Sequence, residues 1–402
     1  MTVDLSWALW RAGYRALPEE RSAHAGAPAY PSRLVGRRAV VVRGRDGTRL
    51  FYDPTVIQRR GAIPPPLADL LFGRGAVHGL DDEAHAERKA MFLQVLAAER
   101  VEPLALAIGT DLQRRARSWR GRDVQLHSEL VEVYGAAVLA WAGIDCTGAQ
   151  ARRTSHHLAH IVDGFGGAGA AYPRGWAARI RADRWARRLV QSVRDGQRRP
   201  PPGSPLELIA TGPGRDLDAR TAGVELLNLL RPTVAVAWPA TFAALALAQH
   251  EQWRPLLRGD DASARRTAFG HEVRRTCPFV PALAGTARST AEIHGERVEP
   301  GDLVVLDVPG TNHDAQAWTE PDEFLPERFA DVEPDPYEFV PQGGGDPRTG
   351  HRCPGEPLTV RMLAETLRVL AEVDYAVVSS PSYDATRIPT LPARGLMVRV
   401  AP

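Results

Sequence analysis

From about Asp82 to Thr276 apolar side chains recur at three- and four-residue spacings, the period of one buried helix face. Two breaks interrupt this helical stretch: Gly164 to Gly175, rich in glycine, and Arg199 to Pro205, rich in proline. Both predict loops. Before it, the runs Ala39-Val40-Val41-Val42 and Leu50-Phe51-Tyr52 flank the turn signal Arg45-Asp46-Gly47 and predict a β-hairpin over Arg38 to Asp53. The proline-rich Gly61 to Leu67 predicts extended chain. After the helical stretch, Gly301 to Val308 reads as a strand. Leu358 to Val373 reads as a helix with Leu363, Leu367 and Leu370 on one face. Leu391 to Val400 reads as a second hairpin turning at Gly395. The pattern predicts a mainly α fold with small β-sheets. One domain spans 1-402, with a β-rich part at about 30-65 and a helical core at about 82-276.

One apolar stretch, Leu226 to Leu247, approaches the length of a membrane span, but it carries Arg231, Pro232 and Pro239. An arginine inside a span is costly in lipid, so the expectation is a buried core helix and no membrane span.

Composition narrows the field. The 402 residues, 44% hydrophobic with a net charge of +2, suffice for a large core and lack the basic runs of a nucleic-acid binder. Lys89 is the only lysine among 50 Lys and Arg residues, a bias of composition rather than of function. Cys146, Cys277 and Cys353 lie too far apart for a disulfide framework or a zinc pattern. Reduced thiols, and no basic-then-apolar leader over Met1 to Leu17, set the expectation of a cytoplasmic protein.

The strongest chemical signal is the segment Phe339-Val-Pro-Gln-Gly-Gly-Gly-Asp-Pro-Arg-Thr-Gly-His-Arg-Cys353-Pro-Gly-Glu. A long glycine-rich loop ends in a single cysteine directly before a helix. Unpaired N–H groups and the positive end of the helix dipole favour thiolate there. A thiolate is the axial ligand that pushes electron density toward O–O cleavage. Gly350 and Gly355 would let a flat macrocycle approach the backbone.

This loop resembles the haem-binding signature of the cytochrome P-450 superfamily. It departs from the common form in having Asp346, not Phe, seven residues before the cysteine, with the aromatic displaced to Phe339. The longer form is similar to that of the bacterial fatty-acid peroxygenases and decarboxylases. Glu272-Val-Arg-Arg275 and Pro326-Glu-Arg328-Phe329 match two further superfamily motifs. The resemblance implies that Glu272, Arg275 and Arg328 form a structural ion network. It extends from about Leu17 to Val398 and implies the cytochrome P-450 fold, a single haem-thiolate domain, with haem b bound through its iron to Cys353.

The central helix sharpens the reading. Where most of the superfamily carries an acid-alcohol pair, this chain has Arg231-Pro232. A buried arginine cannot shed its proton and needs an anion. Pro232 removes a backbone N–H and clashes one turn back, which predicts a kink in the helix and frees the carbonyl of Asn228. A fixed guanidinium is suited to a bidentate carboxylate, either a ligand's or one of the protein's own, such as Glu225. The Arg-Pro pair resembles the peroxygenase branch, which implies a fatty-acid carboxylate on Arg231, hydrogen peroxide as oxidant and no redox partner. Products would be 2- or 3-hydroxy acids or terminal alkenes.

The same resemblance places Phe72, His78 and Phe279 in the substrate pocket, with Phe72 and His78 orienting substrate and handling protons, and makes Arg231, Pro232 and His78 the catalytic candidates. It sets Arg59, His85 and Lys89 on the haem propionates, and lines the alkyl channel with Phe165 to Gly169. Two other readings stay open: a monooxygenase that uses dioxygen and redox partners, and a haem-thiolate sensor or lipid carrier without catalysis.

Overall fold

The computed structural model describes residues 4-166 and 169-402. Helices dominate, and they wrap a central pair, Ala219–Ala235 and Ala237–Gln249. Asp218 caps the first of these, its carboxylate accepting from the N–H groups of Arg220 and Thr221 at 2.9 and 3.2 Å. From Leu226 to Leu230 and again from Val234 to Leu247 nearly every side chain is buried. The pair is long and apolar enough to cross a membrane, yet 89% of its apolar window is buried inside the protein. The expected core helix is therefore what forms. The helix is not broken at Pro232, where the sequence predicts a kink, but runs on to Ala235 and is interrupted at Val236, whose N–H donates to the Thr233 carbonyl at 3.3 Å.

A five-stranded sheet lies beside the helices, in the order Ala29–Leu34, Arg37–Val42, Leu303–Asp307, Ala282–Ala287, Ile57–Gln58. Only the pairing of Arg37–Val42 with Leu303–Asp307 is parallel. Three segments depart from the sequence expectation. The hairpin turns at Val35-Gly36, both at positive φ, so Ala39 to Val42 pairs backwards with Ala29 to Ser32. The Asp4 carboxylate holds this turn by accepting from both its N–H groups. The expected second strand is instead the helix Gly44–Tyr52, which buries Gly44, Gly47, Thr48 and Phe51 on one face. The three-residue run Leu50 to Tyr52 was too short to distinguish strand from helix end. At the C-terminus no hairpin forms at Gly395. Met397–Val400 pairs with Tyr375–Val377 and Asp123–Gln125, partners distant in sequence.

Two boundaries also move. Helix Pro65–Leu71 begins inside the proline-rich stretch, because a proline at the first helical position sacrifices no bonded N–H. Helix Ala171–Arg194 absorbs the last residues of the glycine-rich loop. The strand Leu303–Asp307 and the helix Glu356–Glu372 form as expected.

Candidate functional site: the cysteine loop and the buried arginine

The cysteine loop is anchored from both ends. Phe339, 2% exposed, packs with Phe329 and Trp318 in a separate aromatic cluster. A Cβ on Gly343 would come within 2.5 Å of the Tyr52 hydroxyl, and one on Gly344 within 2.6 Å of Thr48. The glycines that the protein itself requires are thus Gly343 and Gly344. A Cβ at Gly355 would stand 3.7 Å from Cys353 Sγ, in ordinary contact. The Cys353 N–H donates to the Gln342 carbonyl at 3.1 Å, and Gln342 Nε2 lies 3.7 Å from Sγ.

Burial pushes the Cys353 thiol up, opposed by the Gly355 N–H and the charges of Lys89 and Arg274. The helix start alone therefore does not hold a thiolate. Coordination to a metal would, because it deprotonates the thiol outright.

The expected ion network is formed. Glu272 and Arg275, both fully buried, pair through two bonds of 2.8 Å, and Arg328 reaches Glu272 at 3.3 Å. Arg275 also donates to the carbonyls of Asn312, Pro321 and Glu323. Asn312 in turn accepts from the Val340 N–H, which ties the network to the cysteine loop.

Arg231 is 6% exposed. Glu225, the candidate internal partner, is already engaged. It accepts from Val77 N–H at 2.9 Å, from Arg88 and from Asn228 Nδ2 at 3.0 Å. The one hydrogen bond of Arg231 among the described residues goes to the neutral Asn228 Oδ1 at 3.3 Å, and its Nε has no partner. Burial first, then the charge of Arg179, push its pKa down to about 9, and Cys353 opposes the shift. The guanidinium is therefore neither paired internally nor drawn to the surface. It faces Phe72, whose ring centre is 5.8 Å from Cζ, and Phe72 stacks on His78 at 4.1 Å. Burial and the Arg231 charge push His78 down to about 3. His78 is thus neutral at working pH and can act there only as a neutral hydrogen-bonding group.

A second cluster lies beside Cys353. Lys89 Nζ donates to the carbonyls of Gly350 and Arg352 at 2.8 and 2.6 Å. His85 stacks on His351 at 3.9 Å. Arg59 lies over the Phe51 ring at 4.0 Å, and its N–H donates to Asp81. Burial, and then the charges of Arg59, His85 and Lys89, push His351 down to about 2. His85 falls to about 4 through burial and then Lys89. Sequence reasoning missed His351, although its place two residues before Cys353 in the quoted loop was the available signal. The side chain of Phe279 packs against the main apolar core, and its carbonyl accepts from the Tyr14 hydroxyl at 2.8 Å. Of the expected channel loop, Gly167 and Ala168 lie outside the described residues.

The donor set fits an iron porphyrin. No group of three or more His, Cys, Asp or Glu suited to a metal ion occurs among the described residues, so a metal here must bring its other ligands with it. Four basic side chains converge beside Cys353 with Asp81 as a nearby carboxylate, 3.6 Å from His351 Nε2. Two carboxylates on the edge of a macrocycle would relieve that repulsion.

One axial thiol and a basic edge define a haem-thiolate protein. A profile of the cytochrome P450 family matches residues 267-369. A solved structure of cytochrome P450SP alpha (CYP152B1) in complex with (R)-ibuprofen superposes with a TM-score of 0.92 at 35% identity, covering 99% of this chain and 98% of that one. The chain belongs to the cytochrome P450 family, and its haem b iron is held by a cysteine thiolate.

Within that family the chain is also similar to ligand-free cytochrome P450 OleT, with a TM-score of 0.93, 29% identity, and 99% and 97% of the two chains covered. Among curated proteins, putative cytochrome P450 137 of Mycobacterium tuberculosis is 35% identical over 139 residues, 34% of this chain. That match spans only 28% of the curated relative's length.

Proposed function

We propose that this chain is a fatty-acid peroxygenase in which Arg231 holds the substrate carboxylate and the carboxylate serves as the general acid-base. The observation that carries this is the state of Arg231: buried, cationic and, among the described residues, bonded to a neutral amide and to no carboxylate. The likeness to CYP152 structures supports the reading, and one such structure, of an OleT variant, is in complex with arachidonic acid.

The overall conversion balances as R–H plus H2O2 giving R–OH plus H2O. The alternative outcome of the same two-electron oxidation balances as R–CH2–CH2–COOH plus H2O2 giving R–CH=CH2, CO2 and two H2O. When bound, the haem supplies the oxidising centre. The protein's own groups do the rest. Arg231 fixes the carboxylate in a bidentate geometry, which sets the carbons next to it toward Cys353. The carboxylate, close to neutral groups and short of water, takes and returns the peroxide proton, since no acidic side chain stands at this turn of the helix. Phe72 and neutral His78 pack beside it and exclude water. Arg59, His85, Lys89 and His351 orient the cofactor by its carboxylates, and Cys353 ligates the iron. Phe279 belongs to the pocket wall in this reading.

The rival that uses dioxygen and redox partners lacks the acid-alcohol pair that would deliver protons to dioxygen. The test is purified holoenzyme with hydrogen peroxide and saturated acids, no reductase present, products read by mass spectrometry. Wild type should give hydroxy acids or alkenes, and Arg231→Ala should give none while keeping the haem spectrum. Turnover by Arg231→Ala equal to wild type would sink the proposal.

A further inference from the structure

A second buried guanidinium, that of Arg179, lies close enough for its charge to act on the first. Arg179, on helix Ala171–Arg194, is 1% exposed. It packs against Gly73, where any Cβ would overlap the guanidinium, and Gly73 follows Phe72, the ring that Arg231 faces. Its anionic partner is Asp183, one helical turn away, whose side chain is 37% exposed and so only partly cancels the charge. Nε and Nη1 of Arg179 are buried without a partner, as is Nε of Arg231. Two cations flank Phe72, then, with Glu225 already committed to Arg88 and Asn228. An anion arriving at Arg231 meets the field of both.

We infer that Arg179 is a positioning residue of the carboxylate receptor, whose charge selects ionised acids over neutral ligands of the same shape. This rests on Arg231 being the carboxylate anchor. At the effective dielectric of a protein interior, a unit charge in the adjoining layer, partly offset by Asp183, changes anion affinity by roughly five- to tenfold. It leaves a neutral ligand untouched.

The test measures Kd for dodecanoic acid and dodecan-1-ol by Soret titration of the holoenzyme, for wild type, Arg179→Met, Arg179→Lys and Asp183→Asn. Arg179→Met should weaken the acid by about five- to tenfold with the alcohol unchanged, and Arg179→Lys should restore most of the loss. Asp183→Asn, at a half-exposed site that tolerates change, should tighten the acid a few-fold and leave the alcohol alone. This variant keeps the test open should Arg179→Met fail to fold. Equal weakening of acid and alcohol, no weakening of either, or an unmoved acid Kd in Asp183→Asn overturns the inference. Arg231→Ala in the same titration separates the two ideas. If it too binds the acid normally, the anchor itself is wrong; if it loses the acid while Arg179→Met does not, only the role of Arg179 fails.

Discussion

Replacing Arg231 with methionine should make the substrate-free protein more stable while removing its grip on acids. Burial drives the guanidinium far below its ordinary value, to about 9. At about 1.4 kcal/mol per tenfold change in the protonation equilibrium, keeping the charge buried costs about 5 kcal/mol. The sign follows from the lowered folded value. The cost is fully present below about pH 9 and fades as the pH rises from there, so it applies throughout the working range.

Against that cost stands one hydrogen bond to a neutral amide at 3.3 Å, worth about 1 kcal/mol. Methionine fills the stem of the space with a flexible apolar chain and leaves Asn228 Oδ1 without its donor, a loss of about 1–2 kcal/mol. The net gain is about 2–3 kcal/mol. Spread over 402 residues at an unfolding entropy of about 2 cal/mol/K each, it raises Tm by about 3 °C. Thermal unfolding of ligand-free holoenzyme, with a dodecanoic acid titration beside it, reads both halves. A variant that melts below wild type would show that the cation is satisfied in the resting protein. A variant that still binds the acid would show that Arg231 is not its anchor. The trade is the usual one for a binding group kept unpaired until its ligand arrives.

Glu272→Gln leaves the buried guanidinium of Arg275 and the nearby Arg328 without their shared carboxylate. It should cost about 3–5 kcal/mol, lowering Tm by about 5 °C, and a drop under one degree in thermal unfolding would refute the network's structural role. Acid should weaken the fold through His127, which burial, its largest cause, pushes down to about 4. The unfolded chain takes up a proton below about pH 6.5 and the folded one does not, so stability is lost as pH falls from about 6.5 toward 4, about 2 kcal/mol at pH 5. His127→Asn should show a urea-unfolding free energy that falls by that much less between pH 7.5 and 5; an unchanged slope would count against the buried neutral ring.

What the sequence made legible is what chemistry confines to one stretch of chain. Cys353 and its glycines, the pair Glu272 and Arg275, and the core helix with Arg231-Pro232 each carry their logic within a few residues. The misplaced hairpin shows the limit at the backbone level. Its turn, Val35-Gly36, is held by Asp4 from across the fold, and no local turn residue announces that. Arg179 shows the limit at the level of charge. Its helix also carries Arg174, Arg181, Arg184, Arg187, Arg188 and Arg194, and composition cannot say which of these is buried. The helical period does hold a clue, since Gly175, Arg179, Ala182 and Ala186 fall on one stripe of otherwise small residues, the face turned to the core. A large cation on a small-residue stripe is affordable only where something on the facing element makes room. Gly73 makes that room, and through it the field of Arg179 reaches the anion site. Reading buried cations against the stripe they occupy, rather than against their neighbours in sequence, is thus the step that links a polar helix to the ligand it never touches.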